Sequence, residues 1–188
     1  GDLSQRGIKV LYITTEQGLG DIKSSMLRVH GTKSGLPKSI VENFYLDDSV
    51  DDVDSLPKFL ARRLLTEGED YHGVQSIVID SVQGRGLSSA ATQKYRALYE
   101  FCENAKAQRL VTLLVGHVTK KGQISGPKDL EHNVDCIIYI RRAFRLRPLF
   151  VPKNRFGPAR LDPLVLVMDN YGRLQKSPHA AAKSSAVY

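Results

Sequence analysis

The chain has 188 residues, 41% of them apolar and 25% charged, and a formal net charge of +7. That length can bury a core without disulfide or metal support, and that balance excludes a disordered or fibrous chain. No apolar run of the roughly eighteen residues needed to cross a bilayer occurs, and the opening GDLSQRG carries no signal-peptide core, so the sequence reads as soluble and cytoplasmic.

In chain order, IKVLYIT (8–14) has the length and β-branched content of a buried parallel strand and stops at Thr15-Glu16-Gln17-Gly18. Asp21 then offers a cap for a helix with Ile22, Met26 and Val29 at helical spacing, followed by a loop, HGTKSGLPKS. ENFYL (42–46) reads as a short strand. Ser55 and Pro57 mark the start of a helix through Leu60, Leu64 and Leu65 that closes near Gly68. VQSIVID (74–80) is a second apolar strand ending in an acid. After the loop SVQGRGLSSA, Tyr95, Leu98, Cys102 and Ala105 share a helix face. LVTLLVG (110–116) ends at His117, and VDCIIYI (134–140), RLRPLFV (145–151) and LVLVM (164–168) follow as strands without helices between them. Asp169-Asn170-Tyr171-Gly172 is a turn signal. Strands alternating with amphipathic helices predict an α/β, three-layer, mostly parallel sheet with antiparallel strands at its carboxyl-terminal end. Residues 1–176 are expected to form one core, with 177–188 as a flexible tail. Cys102 and Cys136, far apart in apolar surroundings, read as buried free thiols rather than as a disulfide or a metal site.

In such sheets ligands gather at the carboxyl ends of strands, and three of those ends here are polar: Glu16, Asp80 with Ser81, and His117. Asp80, closing an apolar strand, suits a carboxylate that holds Mg²⁺ through water, although many strands end in Asp as a helix cap. Glu16 suits a general base that polarises water, or an ordinary loop acid. His117 suits a phosphate sensor or a structural histidine. Lys120 and Lys121 lie in a loop with Gly122 and Gly126, suited to a nucleic-acid backbone or to plain solvation. From Arg141 to Arg160 seven cations follow one another with no carboxylate between them, which favours a polyanion over a solvated basic face. The acids from Asp47 to Asp54 read as a solubilising surface. No GxxxxGK[ST] occurs in the sequence, so hydrolysis of ATP by these residues alone is expected to be poor.

From about residue 7 to residue 174 the chain resembles the RecA-type ATPase core of the RadA/Sms family of bacterial DNA repair proteins. The resemblance rests on "VLYITTEQ", "SIVIDSVQ", "LLVGHVTKKGQISGPKDLEHNVDCIIY" and above all "KNRFGP" (153–158); DnaB-like and KaiC-like relatives share the sheet but not KNRFG. It implies a RecA-like P-loop NTPase core, here without the P-loop strand and helix, with ATP and Mg²⁺ as cofactors. Single-stranded DNA, a homo-oligomeric ring of hexamer type and a RecA-type recombinase are the implied partners. It makes Asp80 the Mg²⁺ acid, with Ser81 beside it, and Glu16 the water-activating acid. Lys153 and Arg155 become cations reaching nucleotide held by the neighbouring subunit, projecting from one side of an extended segment with Asn154 opposite and Gly157 permitting a turn. His117, Lys120, Lys121, Lys128 and Arg85 become residues of the DNA-facing region. Gln17 and Gly18 depart from the family, which has a second acid and a serine there. A non-catalytic DNA-binding or interaction paralogue is the alternative, and a fragment lacking a sheet strand, betrayed by exposed apolar edges, is a third.

Overall fold

In the computed structural model, which describes residues 1–50, 55–59, 62, 64, 66–83, 92–117 and 133–177, the chain forms two units, Gly1–Lys128 and Asp129–Tyr188. The first begins with α1 (Asp2–Gln5), β1 (Val10–Thr14), α2 (Leu19–His30), α3 (Lys38–Asn43) and β2 (Phe44–Asp47). It continues with α4 (Leu56–Phe59), β3 (Ser76–Asp80), α5 (Thr92–Ala107) and β4 (Val111–Val115). Its four strands are all parallel, in the order β2-β1-β3-β4, with Thr14 opposite Asp80 and Asp80 opposite Val115. Three strand ends therefore stand side by side.

Alternation along the strands sorts the side chains into two faces. Leu11, Ile13, Ile77 and Ile79 are fully buried on one face, under Leu56 and Phe59 of α4 and Leu98 and Phe101 of α5. Each such side chain contributes about 1.5–3 kcal/mol by leaving water. On the other face Phe44 and Leu46 meet Ile22 and Met26 of α2 and Ile40 of α3 around an apolar pocket of about 430 Å³. The unit is thus a helix–sheet–helix sandwich. At its β4 margin, however, Val111, Leu113 and Val115 remain 61%, 45% and 37% exposed.

The second unit is an antiparallel meander of β5 (Cys136–Ile140), β6 (Leu146–Asn154), β7 (Arg160–Met168) and β8 (Leu174–Lys176). Asp169-Asn170-Tyr171-Gly172 forms the β7–β8 turn. Gly172 takes φ +87, a conformation most side chains resist, and Asp169 Oδ1 accepts from the Tyr171 and Arg173 amides, both at 2.9 Å. Ser177, the first residue of the expected tail, is buried and donates its amide to Val165 O at 2.9 Å.

Several expectations are corrected. Asp21 is not the cap of α2: the helix starts at Leu19 behind Gly18, which leaves Asp21 in the first turn, where its charge meets the positive helix end. Lys38–Asn43, read as the end of a loop and the start of a strand, is helix α3, braced by Lys38 and Glu42 at 3.4 Å, and the strand follows it. The buried face of α5 includes Phe101, and Leu174–Lys176 is a strand. Cys136 is exposed, because β5 alternates and turns Ile137 inward instead. Asp47 is no surface acid: it is buried and accepts from Ser49 N, Ser49 Oγ and Tyr71 Oη at 2.7, 2.5 and 2.6 Å. Leu60, Leu65, Asp51 to Asp54 and the Tyr95 side chain lie outside the described residues.

Candidate active site

The parallel register carries Glu16, Asp80 with Ser81, and His117 to neighbouring positions just past β1, β3 and β4. Backbone and hydroxyl groups fasten these ends together. Thr15 N donates to Asp80 O at 2.8 Å, Thr15 Oγ1 donates to Ser81 O at 2.8 Å, and Ser81 N donates back to Thr15 Oγ1 at 2.9 Å. The Asp80–Ser81 peptide bond is cis. Beyond Thr15 the chain curls, because Thr14 Oγ1 donates to Gln17 O at 2.9 Å and receives the Gln17 amide at 3.2 Å. Gln17 serves the turn through its backbone, and Glu16 is left projecting from it.

Glu16 does not stand alone. Ser81 Oγ donates to its Oε1 at 2.5 Å, and His117 Nε2 lies 3.3 Å from both carboxylate oxygens. The Ser81 bond, opposed by partial desolvation and helped by His117, holds the Glu16 carboxyl below its ordinary range. A charged acceptor keeps its donors, so Glu16 is an oriented anion at neutral pH.

Asp80 is half-buried and faces the same side of the sheet as Tyr12, whose hydroxyl donates to Asp80 Oδ2. Burial, then this bond, raises the Tyr12 hydroxyl well above the usual tyrosine range, so it stays a donor. The Tyr12 ring packs at 6.0 Å from Phe44. Among the described residues no three His, Cys, Asp or Glu side chains gather in a way that could cage a metal ion. An oxygen-only donor set of one or two carboxylates and hydroxyls suits instead a hard cation that brings its own waters and phosphate oxygens.

Lys153 and Arg155 belong to the second unit. Lys153 lies near the end of β6, opposite Ile137 and half-buried. Arg155 is past the strand: its amide donates to Asp135 O at 2.8 Å and its Nη1 lies 2.5 Å from Asp135 Oδ1. The two cations therefore do not share one extended segment, because the strand ends at Asn154 and a turn begins at Arg155. Gly157 does not take a positive φ. Its use is closeness, since a Cβ there would stand 3.2 Å from Asn154 Nδ2. Phe156 is 79% exposed. The basic run is partly occupied within its own unit: Arg141 lies over the Phe150 ring at 5.5 Å, and Arg147 Nη1 donates to Phe144 O and Leu146 O at 3.1 and 2.9 Å. Arg142, Arg145 and Arg160 are exposed.

Lys120, Lys121, Lys128 and Arg85 lie outside the described residues. Sequence reasoning missed Tyr12, Asp135 and Gln83. Tyr12 was visible as a polar-tipped side chain inside an apolar strand, two residues before its end. Asp135 and Gln83 gave no signal of their own.

No protein-family model matches the chain. Among curated proteins it is similar to the DNA repair protein RadA of Helicobacter pylori strain J99, 33% identical over 164 residues, or 83% of this chain and 33% of that protein. RadA of Mycobacterium tuberculosis strain H37Rv is 31% identical over 176 residues, covering 89% of this chain and 33% of that one. RadA of Rickettsia prowazekii is 30% identical over 183 residues, covering 92% and 37%. The chain spans about a third of the length of these relatives. Among solved structures, a DnaB-like replicative helicase superposes with a TM-score of 0.66 at 16% identity, covering 92% of this chain and 51% of that one. The RadB recombinase superposes at 0.65 and 15%, covering 90% and 79%. At such identities the likeness is one of fold, and that fold is RecA-type. No helix among the described residues is long and apolar enough to cross a membrane. Over most of its own length the chain resembles in sequence about a third of the length of the RadA DNA repair proteins, and its fold is RecA-type.

Proposed function

We propose that this chain is the RecA-type core of a cytoplasmic RadA-like ATPase of recombinational DNA repair, spanning residues 1–176. It works with ATP and Mg²⁺, in a homo-oligomeric ring, on single-stranded DNA and alongside a RecA-type recombinase. The observation that carries the reading is the meeting of Glu16, Ser81 and His117 beside Asp80 at three adjacent strand ends. Mg²⁺, when bound with nucleotide, supplies neutralisation of phosphate charge, and Asp80 with Ser81 would hold it, partly through water.

The chain's own groups do the rest. Glu16, anionic and aimed by Ser81 and His117, orients a water and accepts its proton. Lys153 and Arg155 act on the nucleotide of the adjoining subunit, where an ammonium and a planar guanidinium offset charge spreading over a transferring phosphoryl group. Lys120, Lys121, Lys128 and Arg85 contact the DNA backbone. His117 reports the presence of phosphate to the stretch that follows it.

The test is ATP turnover stimulated by single-stranded DNA. Glu16→Gln lowers it by about 10²–10⁴-fold, Asp80→Ala abolishes it, and mixing Asp80→Ala with Arg155→Ala protein restores part of what neither has alone. Robust turnover that survives both acid substitutions overturns the site. A second reading, a non-catalytic DNA-binding module, is favoured by the exposed Arg142, Arg145 and Arg160. Nucleotide-independent DNA binding that weakens steeply with salt, and that Glu16→Gln and Asp80→Ala leave unchanged, selects it.

A further inference from the structure

The bonds at the three strand ends close into a circuit. Glu16 Oε1 accepts from Ser81 Oγ at 2.5 Å, and Ser81 Oγ accepts from the Gln83 amide at 3.3 Å. Gln83 Oε1 accepts from the His117 amide at 3.0 Å, and the imidazole returns to Glu16 at 3.3 Å. Facing an anion, that Nε2 carries the hydrogen. A Cβ built at Gly116 would stand at an ordinary contact distance, 3.5 Å, from Gln83 Nε2, so the carboxamide lies along the backbone where β4 ends. Val82 N, donating to Val115 O at 2.9 Å, adds a second tie between the same two ends.

We propose that Gln83 is a positioning residue that holds Ser81 and His117 on Glu16, so that the four groups move as one unit. It acts on both donors of Glu16, on Ser81 through its backbone amide and on His117 through its side chain. Its amide fixes the rotamer of Ser81, the shorter bond to the carboxylate, and its side-chain oxygen fixes the backbone from which the imidazole reaches across. Among the described residues the titratable groups at these ends are Glu16, Asp80, His117 and Tyr12, and Gln83 adds no charge to them. When a ligand draws His117 away, Gln83 is drawn with it and Ser81 loosens, so Glu16 is released to orient a water. A histidine acting alone would free only one of the two donors. This deepens the reading of Glu16 as the water-orienting acid and rests on it.

The test uses the chain as it stands, with Glu labelled by ¹³C at its carboxyl carbon, and needs no nucleotide. In Gln83→Met, which keeps the bulk and the backbone amide but loses the side-chain acceptor, the His117 amide exchanges faster with solvent and the Glu16 carboxyl ¹³C resonance shifts at a fixed neutral pH. Ser81→Ala sets the scale with a larger shift of that resonance. If the Gln83→Met spectrum shows an unfolded chain, Gln83→Asn, which withdraws the carboxamide by one methylene, is read the same way. A Glu16 resonance and a His117 exchange rate both unchanged in a folded variant overturn the proposal. Such a failure leaves the role of Glu16 standing, because that role is read from turnover alone.

Discussion

The two sheets hold themselves together in different ways. The parallel sheet and its helices bury Leu11, Ile13, Ile77, Ile79, Leu98 and Phe101 to 2% exposure or less, whereas among the described residues of the antiparallel unit the buried apolar side chains are Ile137, at 9%, and Pro148. Ile138, Ile140 and Leu161 are 58%, 50% and 73% exposed. Parallel strands need cover on both faces, while an antiparallel meander can leave one face to water. The acids of the candidate site thus sit on the rigid sheet, and the cations Lys153 and Arg155 on the sheet that draws its order from its backbone ladder and turns.

The hardest test of this contrast is truncation. Phe101→Ala is expected to cost about 3–5 kcal/mol by leaving a cavity, and Ile138→Ala no more than about 0.5 kcal/mol, both from urea midpoints. Equal losses would remove the distinction. Next come the thiols. Burial, with Glu103 nearby, pushes Cys102 up to about 12, while Cys136 is exposed. Iodoacetamide should label Cys136 faster by roughly 10²-fold or more, with mass spectrometry of the two peptides as the readout. A smaller effect is expected at the Arg155–Asp135 pair. It is partly exposed, so Asp135→Ala should cost about 1 kcal/mol or less in stability while still altering any DNA-stimulated turnover, because the guanidinium loses its aim.

The smallest effects are in acid, and each unit has its own reporter. Glu16 is held low chiefly by Ser81, and Asp169 chiefly by the Arg173 amide. Both folded values lie below the unfolded ones, so each contribution is present above the ordinary carboxylate range and fades as pH falls through the lowered folded value. Ser81→Ala should therefore flatten acid unfolding of the parallel sheet. Amide protection at Tyr171 and Arg173 should fade in the same window without it.

Much of this was legible in the residues. Apolar runs bounded by polar residues marked β1, β3 and β4, and their order along a parallel sheet was enough to expect Glu16, Asp80 and His117 at the same edge. Helix α3 was hidden because KSIVEN follows Pro37 in a stretch rich in Gly and Ser, and its apolar pair Ile40 and Val41 is too short to show a period. Tyr12, Gln83 and Asp135 were hidden for another reason. Each acts through a partner 20 or more residues away, 68 for Tyr12 and Asp80, and only the register of the sheet brings such pairs together.

Among the described residues no strand pairs with the outer side of β4, and this carries a practical corollary. Val111, Leu113 and Val115 present three aliphatic side chains in alternation, on a strand with neither lysine nor proline to discourage a newcomer. Such a margin is a seed for strand-by-strand accretion, so concentrated solutions should cloud with time, and Leu113→Lys should keep them clear.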